Sequence, residues 1–222
     1  MFEKLKLRWN IQTNFQVIMF KNRSKIMFIL VLAGFHFNSN KIMARDLEKI
    51  TLGGGCFWCT EAVYLELNGV VAVLPGYSGG SVISPTYNEV VAGNTGHAEV
   101  VQVTFDPMVV TFKEILEVFF ATHDPTTLNR QGADIGTQYR SAVFFHSKEQ
   151  KEIANQIITL LNKQKVFENP VVTEVSMFDK FYVAEDYHVN YYKKNKNQPY
   201  CQFVVSPKLD KFEKVFKDKL KK

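Results

Sequence analysis

The chain has 222 residues, of which 46% are hydrophobic and 14% aromatic, and its net charge is +5. This length and composition are typical of a globular domain with a sizeable core, and they exclude a wholly disordered chain. The excess charge lies in residues 1–26, with six basic side chains and one acidic, whereas residues 27–222 carry 21 of each sign. The body of the protein is therefore neutral, and its composition predicts no nucleic-acid partner.

The N-terminal segment has the layout of a signal peptide. Basic residues precede the apolar run IMFILVLAGF, which is too short to span a bilayer alone. Ala44 is a candidate cleavage position, although the bulky Ile42 makes it a poor one, and Met19 or Met27 are alternative start residues. We predict a leader at 1–44 and a folded domain at 45–222. Export, to the periplasm or with a membrane-held leader, is favoured over a cytoplasmic location, and an extension of no consequence is the alternative.

From about residue 46 the sequence alternates between strand-like and helix-like patterns. The predicted strands are KITLGG (49–54), VVAVLPG (70–76), HAEVVQVTFD (97–106), YRSAVFFH (139–146) and VVTEVSMF (171–178). The predicted helices are FWCTEAVYLELNG (57–69), EILEVFFATH (114–123) and a long helix from residue 147 to about 165. Thr111 with Glu114, and Ser147 with Gln150, have the spacing of helix N-terminal caps.

This order of elements predicts an α+β protein. Its first six elements match the split βαβ, ferredoxin-like arrangement, so we expect a two-layer α/β sandwich. The connections at 75–96 and 123–138 are too long for so compact a plan, and their glycines, prolines, tyrosines and charges favour functional loops over disorder. A final amphipathic helix opens at Ser206-Pro207, and its narrow apolar face is predicted to pack on the domain rather than on a membrane.

Three cysteines, an odd number, exclude a fully paired disulfide framework. Cys56 follows Gly53-Gly54-Gly55 and precedes a predicted helix, and unpaired N–H groups at a helix N-terminus stabilise a thiolate. A zinc site is disfavoured because the C-x-x-C pair of Cys56 and Cys59 has no second ligand pair. A thioredoxin-like dithiol protein remains an alternative, although Phe57 and Trp58 would obstruct a protein disulfide. An inert buried cysteine is the other alternative.

Six motifs, in order, resemble the peptide methionine sulfoxide reductase A family. They are GGGCFWCTE, PGYSGG, PTYNEV, GNTGHAEVVQVTFDP, FFATHDPTTLNRQGADIGTQYRSAVF and AEDYHVNYY, and the resemblance runs from about residue 50 to 208. It implies reduction of methionine S-sulfoxide, in proteins and as the free amino acid, and hence repair of oxidised proteins. It also implies that the domain needs no metal or bound organic cofactor, because electrons arrive through thiols.

The same resemblance implies roles for individual residues. Cys56 matches the thiolate that attacks the sulfoxide sulfur, and Glu99 matches the acid that protonates the oxygen, with a pKa raised by an apolar pocket. Tyr87 and Tyr139 match hydroxyls that hold that oxygen, and Asp134 matches a further polar member of the pocket. Phe57 and Trp58 match the wall that receives the methyl group of the substrate. The remaining polar residues of these motifs are expected to support the site or the fold: Glu61, His97, Asp124, Arg130 and His188.

The cysteine that resets the enzyme stays open at this point. A sulfenic acid on Cys56 needs a second thiol, and the resulting disulfide needs a reductant such as thioredoxin, or dithiothreitol in vitro. Cys59 lies about one helical turn from Cys56, and Cys201 lies in QPYCQFVVSPK, which has a strand-like pattern. We favour Cys59 over Cys201, and we expect a monomer.

Overall fold

The computed structural model describes residues 46–222, so the predicted leader lies outside the described part of the chain. The strands are β1 Glu48–Gly54, β2 Val70–Ser78, β3 Ala98–Phe105, β4 Arg130–Gln131, β5 Asp134–Ile135, β6 Ser141–Phe145, β7 Glu174–Met177 and β8 Phe181–Val183. The α-helices are α1 Phe57–Leu65, α2 Tyr87–Val91, α3 Phe112–Thr122, α4 Lys148–Lys163, α5 Tyr191–Lys194 and α6 Ser206–Val215. Across residues 46–222, none of the helices combines the length and the apolar character needed to cross a membrane.

One six-stranded sheet organises the domain, in the order β7-β6-β1-β3-β2-β8. Its four central strands are antiparallel neighbours, with β3 inserted between β1 and β2, and this is the split βαβ arrangement. Strand β7 joins the edge parallel to β6 after the α4 crossover, and β8 pairs antiparallel with β2. The predicted α+β class, with helices packed on a mixed sheet, is confirmed.

The main core lies between the sheet and the helices. Apolar residues of β1 and β3 meet those of α1, α3, α4 and α6 in one cluster of buried side chains. Helix α3 illustrates how sequence produces this packing, because its Thr111–Glu114 capping box is formed and nearly all of its following residues are buried. The sheet and these helices therefore form the rigid base from which the loops extend.

Both long connections contain structure that the sequence analysis did not predict. The first holds α2, which begins with a capping box between Thr86 and Glu89. The second holds the two-stranded β4–β5 hairpin, in which Gln131 pairs with Asp134. Both connections therefore have secondary structure of their own.

The strand-like assignment around Cys201 is wrong, because residues 201–205 form one π-helical turn that leads directly into α6. The positions buried here are Cys201, Val205, Leu209, Phe212 and Phe216, which lie three or four residues apart on one helical face. Packing of this face against the domain overrides the β-propensity of the valines and phenylalanine.

The last residues of the chain pair with the end of α1. The Asn68 N–H donates to the Lys219 carbonyl over 2.8 Å, and the Lys221 N–H donates to the Glu66 carbonyl over 2.9 Å. Leu67 and Leu220 form an isolated β-bridge between these two bonds. The C-terminal segment is thus fastened to the helix that follows the C-x-x-C turn.

Candidate active site

Cys56 occupies the turn between β1 and α1, where it is the N-cap residue of the helix. The turn needs glycine at position 55, because Gly55 has φ +88° and a Cβ there would lie 2.5 Å from Cγ of Gln131. Gln131 is fixed in turn by hydrogen bonds of 3.0 Å to the backbone N–H and carbonyl of Asp124. The second long connection therefore returns beside the cysteine, as the sequence predicts.

Glu99 lies beside this turn, on β3, and is 1% exposed. Its Oε2 accepts a hydrogen bond of 3.1 Å from the backbone N–H of Phe57, the residue that follows Cys56. Burial raises the pKa of Glu99 from 4.5 to about 8, although the Phe57 N–H opposes the shift. The carboxyl is therefore mainly protonated at neutral pH and holds a proton close to the nucleophile candidate.

The thiols of Cys56 and Cys59 contact each other through a hydrogen bond. Burial raises the pKa of Cys56 well above its usual value, whereas the hydrogen bond from Cys56 lowers the pKa of Cys59 to about 7. Burial therefore opposes the stabilisation of a Cys56 thiolate that the helix N-terminus was expected to provide. The hydrogen bond between the two thiols therefore favours a negative charge of the pair on Cys59 over one on Cys56.

Two tyrosines of the long loops retain their protons at this site. Burial, followed by the charge of Glu99, raises the pKa of both Tyr87 and Tyr139. Tyr87 is placed by Glu185, whose Oε1 accepts the Tyr87 N–H over 2.8 Å while its Oε2 accepts the Tyr77 hydroxyl over 2.8 Å. Both predicted tyrosines can therefore donate hydrogen bonds at neutral pH.

An aromatic wall adjoins Cys56. The ring of Phe57 is 1% exposed and stacks with Tyr87, at 6.3 Å between centroids. Trp58 stacks on Tyr191 at 3.7 Å and donates its indole N–H to Nδ1 of His188 over 3.0 Å. His188, expected only to support the site, thus orients the indole directly.

Asp134 makes a contact that the sequence did not predict. Its Oδ2 accepts a 2.7 Å hydrogen bond from the hydroxyl of Tyr200, which also contacts both thiols of the C-x-x-C pair. Asp134 was expected to be a further polar member of the pocket, and its charge acts on Glu99 and Tyr139 there. The one sequence feature that could have drawn attention to Tyr200 is its position immediately before Cys201.

Cys201 lies on the far side of Cys59. It is 0% exposed and belongs to a small cluster with Cys59, Ala62 and Val205. All three cysteines are free thiols. The two cysteines proposed for recycling therefore differ in position, since Cys59 touches Cys56 and Cys201 packs behind Cys59.

Comparisons with known proteins agree with this site. A family profile described as peptide methionine sulfoxide reductase matches residues 48–220. MsrA of Sulfolobus acidocaldarius is 58% identical over 173 residues, which is 78% of this chain and 97% of that protein.

Solved structures extend the comparison to the fold. Methionine sulfoxide reductase A of Corynebacterium diphtheriae has a TM-score of 0.65 and 36% identity over 68% of this chain and 76% of that one. Reduced Mxr1 from Saccharomyces cerevisiae has a TM-score of 0.64 and 37% identity, over 70% and 89% of the two chains. The chain belongs to the peptide methionine sulfoxide reductase family.

As a member of the peptide methionine sulfoxide reductase family, the protein is an oxidoreductase. Membership decides against the alternative of a thioredoxin-like dithiol protein.

The remaining polar residues of this reductase have structural contacts. His97 accepts the Gly80 N–H at Nδ1, over 3.0 Å, and donates from Nε2 to the Val82 carbonyl. Glu61 accepts the N–H groups of Asn190 and Tyr191, which places the helix that carries Tyr191. Asp124 accepts from the Thr126 N–H and hydroxyl, and Arg130 donates to the Gly132 carbonyl. These contacts agree with the supporting role expected from the sequence.

Proposed function

We propose that the protein reduces methionine S-sulfoxide, in oxidised proteins and as the free amino acid, with Cys56 as the attacking sulfur and Glu99 as the proton donor. The observation that carries the proposal is the hydrogen bond from the Phe57 N–H to Glu99, which holds a buried carboxylic acid one residue from Cys56. A sulfoxide oxygen leaves only when it is protonated or strongly hydrogen-bonded, so this pairing fits the reaction.

The first step begins with transfer of the Cys56 proton to the Cys59 thiolate along their hydrogen bond. The Cys56 thiolate then attacks the sulfoxide sulfur while Glu99 protonates the oxygen. The S–O bond of the substrate breaks, its sulfur gains two electrons, and the oxygen ends on Cys56 as a sulfenic acid. Methionine leaves, and the proton that Glu99 gave is replaced from the thiol pair, so that no net proton is consumed.

Two groups of side chains support positioning of the substrate. Tyr87 and Tyr139 keep their hydroxyl protons and are candidates to hydrogen-bond the same oxygen. The rings of Phe57 and Trp58 lie 6.2 Å apart and offer an apolar wall for the methyl group. An S epimer then places its oxygen toward Glu99 and its methyl group toward the rings.

The enzyme is reset through Cys59 in this proposal. The Cys59 thiolate attacks the Cys56 sulfenic acid, and the hydroxyl group takes a proton from solvent and leaves as water. A disulfide forms between residues that already share a hydrogen bond. The Cys59 pKa of about 7 supplies a thiolate for the attack. A dithiol reductant of the thioredoxin type then reduces the disulfide. Cys201 lies behind Cys59 and is better placed as a later exchange partner than as the first resolver.

The proposal is tested with methionine sulfoxide of defined configuration and dithiothreitol as the reductant. The expected result is methionine formation from the S epimer and none from the R epimer, with loss of activity in Cys56→Ser. Insulin reduction serves as the control for a general dithiol activity and should stay at background. Turnover that survives in Cys56→Ser would exclude the mechanism.

A further inference from the structure

The Tyr200 hydroxyl is placed between a carboxylate and two sulfurs. It donates to Oδ2 of Asp134 over 2.7 Å and contacts the thiols of Cys56 and Cys59. Its ring meets Trp58 edge to face, at 5.7 Å between centroids. Tyr200 has no step in the mechanism above, although it touches both sulfurs that react.

A phenol has one hydrogen to donate, so the Asp134 carboxylate and the Cys56–Cys59 pair compete for it. Burial and the neighbouring thiols raise the pKa of Tyr200 well above its usual value, so the hydroxyl keeps this hydrogen throughout the working pH range. When the C-x-x-C pair is fully protonated, the Asp134 carboxylate is the stronger acceptor. When the pair carries a negative charge, a thiolate becomes the alternative acceptor.

We propose that Tyr200 is a positioning residue of the reductase reaction, whose hydroxyl stabilises the thiolate of the Cys56–Cys59 pair in competition with Asp134. The inference rests on the proposed function and deepens it, since it names a residue that controls the ionisation of the attacking sulfur. It concerns the ionisation of the dithiol itself, so it is measurable without substrate and independently of whether Cys56 performs that attack.

Other charged groups face the same pair from the elements packed around it. Lys208 of α6 favours the Cys59 thiolate, whereas Asp134 of β5 disfavours it. Glu99 of β3 disfavours a thiolate on Cys56 only when it is itself ionised. Tyr87 and Tyr139 also face Cys56, and the Cys201 thiol faces Cys59 from the π-helical turn. Tyr200 differs from these groups in contacting both sulfurs of the pair through one hydroxyl.

The test is a pH titration of thiolate ultraviolet absorbance and of alkylation rate, in a Cys201→Ala background so that only the C-x-x-C thiols report. Tyr200→Phe should move the first titration to higher pH by about one unit, because a hydrogen bond to a charged group is lost. Asp134→Asn should move it to lower pH, because the competing acceptor and its negative charge are both removed.

Tyr192→Phe is the matched control. The hydroxyl of Tyr192 shares a 2.9 Å hydrogen bond with Ser206, and its ring packs on the cluster that contains Cys59 and Cys201. Tyr192→Phe therefore deletes a tyrosine hydroxyl in the same region, but one that bonds to Ser206 and not to the reacting sulfurs. The titration of the thiols should not move in this variant.

Opposite shifts for Tyr200→Phe and Asp134→Asn, with none for Tyr192→Phe, would support the proposal. An unshifted titration in Tyr200→Phe, or shifts of equal sign in both variants, would overturn it. If Tyr200→Phe does not fold, an unchanged or raised titration in Asp134→Asn still rejects the proposal. If the proposed function is wrong but this inference is right, the two variants should show the expected opposite shifts, while the parent protein forms no methionine from the sulfoxide.

Discussion

The two faces of helix α1 are built differently. Cys56 and Phe57 face the sheet, where Glu99 and the Gly55 turn are fixed by strand pairing and by close backbone contacts. Cys59 and Ala62 face the C-terminal segment, where the cover is a π-helical turn and partly exposed tyrosines. We infer that the sheet side supplies precise geometry for oxygen removal, and that the other side can rearrange when a disulfide forms.

The largest effects should come from the cysteines and should separate the two faces. Cys59→Ser should still form about one equivalent of methionine per enzyme, because the sheet-side groups are intact. It should form it more slowly, because the thiolate that accepts the Cys56 proton is lost, and it should lose sustained turnover with thioredoxin. Cys201→Ala should keep most of its steady-state rate. The measurement is methionine released in the burst and in the steady state. Full steady-state activity in Cys59→Ser would show that Cys201 or an external thiol resolves the sulfenic acid.

Glu99→Gln should lower kcat/KM by about 100- to 10,000-fold, the usual effect of losing a general acid. The same variant should be more stable than the parent at pH 7. Because the folded pKa of Glu99, about 8, lies above its usual 4.5, its contribution to stability is present below 4.5 and is lost as pH rises through 8. Glutamine has no charge to bury and should add about 2–3 kcal/mol at pH 7. Denaturant unfolding measures this, and lower stability in Glu99→Gln would contradict the buried-acid assignment.

The pH profile of kcat/KM should be bell-shaped. Its rising limb follows the thiol pair, through the Cys59 pKa of about 7, and its falling limb follows deprotonation of Glu99 near 8. Activity is therefore highest between these values and falls about tenfold for each further pH unit on either side. In Glu99→Gln the residual activity should lose the alkaline limb alone. An alkaline limb that persists there would assign it to another group.

A smaller effect is expected from glycine replacements on the sheet side. Gly55→Ala combines a strained φ of +88° with a clash against Gln131, and should cost about 2–4 kcal/mol of stability and misplace Cys56. Gly132→Ala is the control, because Gly132 has φ +62° and no atom within 4 Å of a built Cβ. It should cost only about 1 kcal/mol, for the backbone conformation. Equal losses of stability in Gly55→Ala and Gly132→Ala would mean that the clash with Gln131 contributes nothing.

The sheet side was the more predictable part of the molecule. Alternation in residues 97–106 and the capping pair Thr111–Glu114 are local signals, and both correspond to elements of the structure. The glycine run indicated a special turn before Cys56, and the φ of Gly55 gives the reason. Strand order followed because the connections between these elements leave few alternatives.

The C-terminal side could not be predicted as well, because its structure depends on tertiary contacts. The segment after Tyr200 has β-forming residues, and only burial against α1 reveals its helical period. The partnership of Tyr200 with Asp134 joins residues 66 positions apart, and no local pattern encodes it. The distribution of charge between Cys56 and Cys59 likewise depends on relative burial and donor direction, which helix-terminus reasoning does not contain.

The pairing of the chain's last residues with the end of α1 has a practical consequence for engineering. Lys219 and Lys221 are bonded to the loop that leaves this helix, so a purification tag or fusion partner attached after Lys222 would pull on the support of the catalytic turn. Immobilising the enzyme from this end should therefore impair it more than attachment through an exposed residue of α4, such as Lys151.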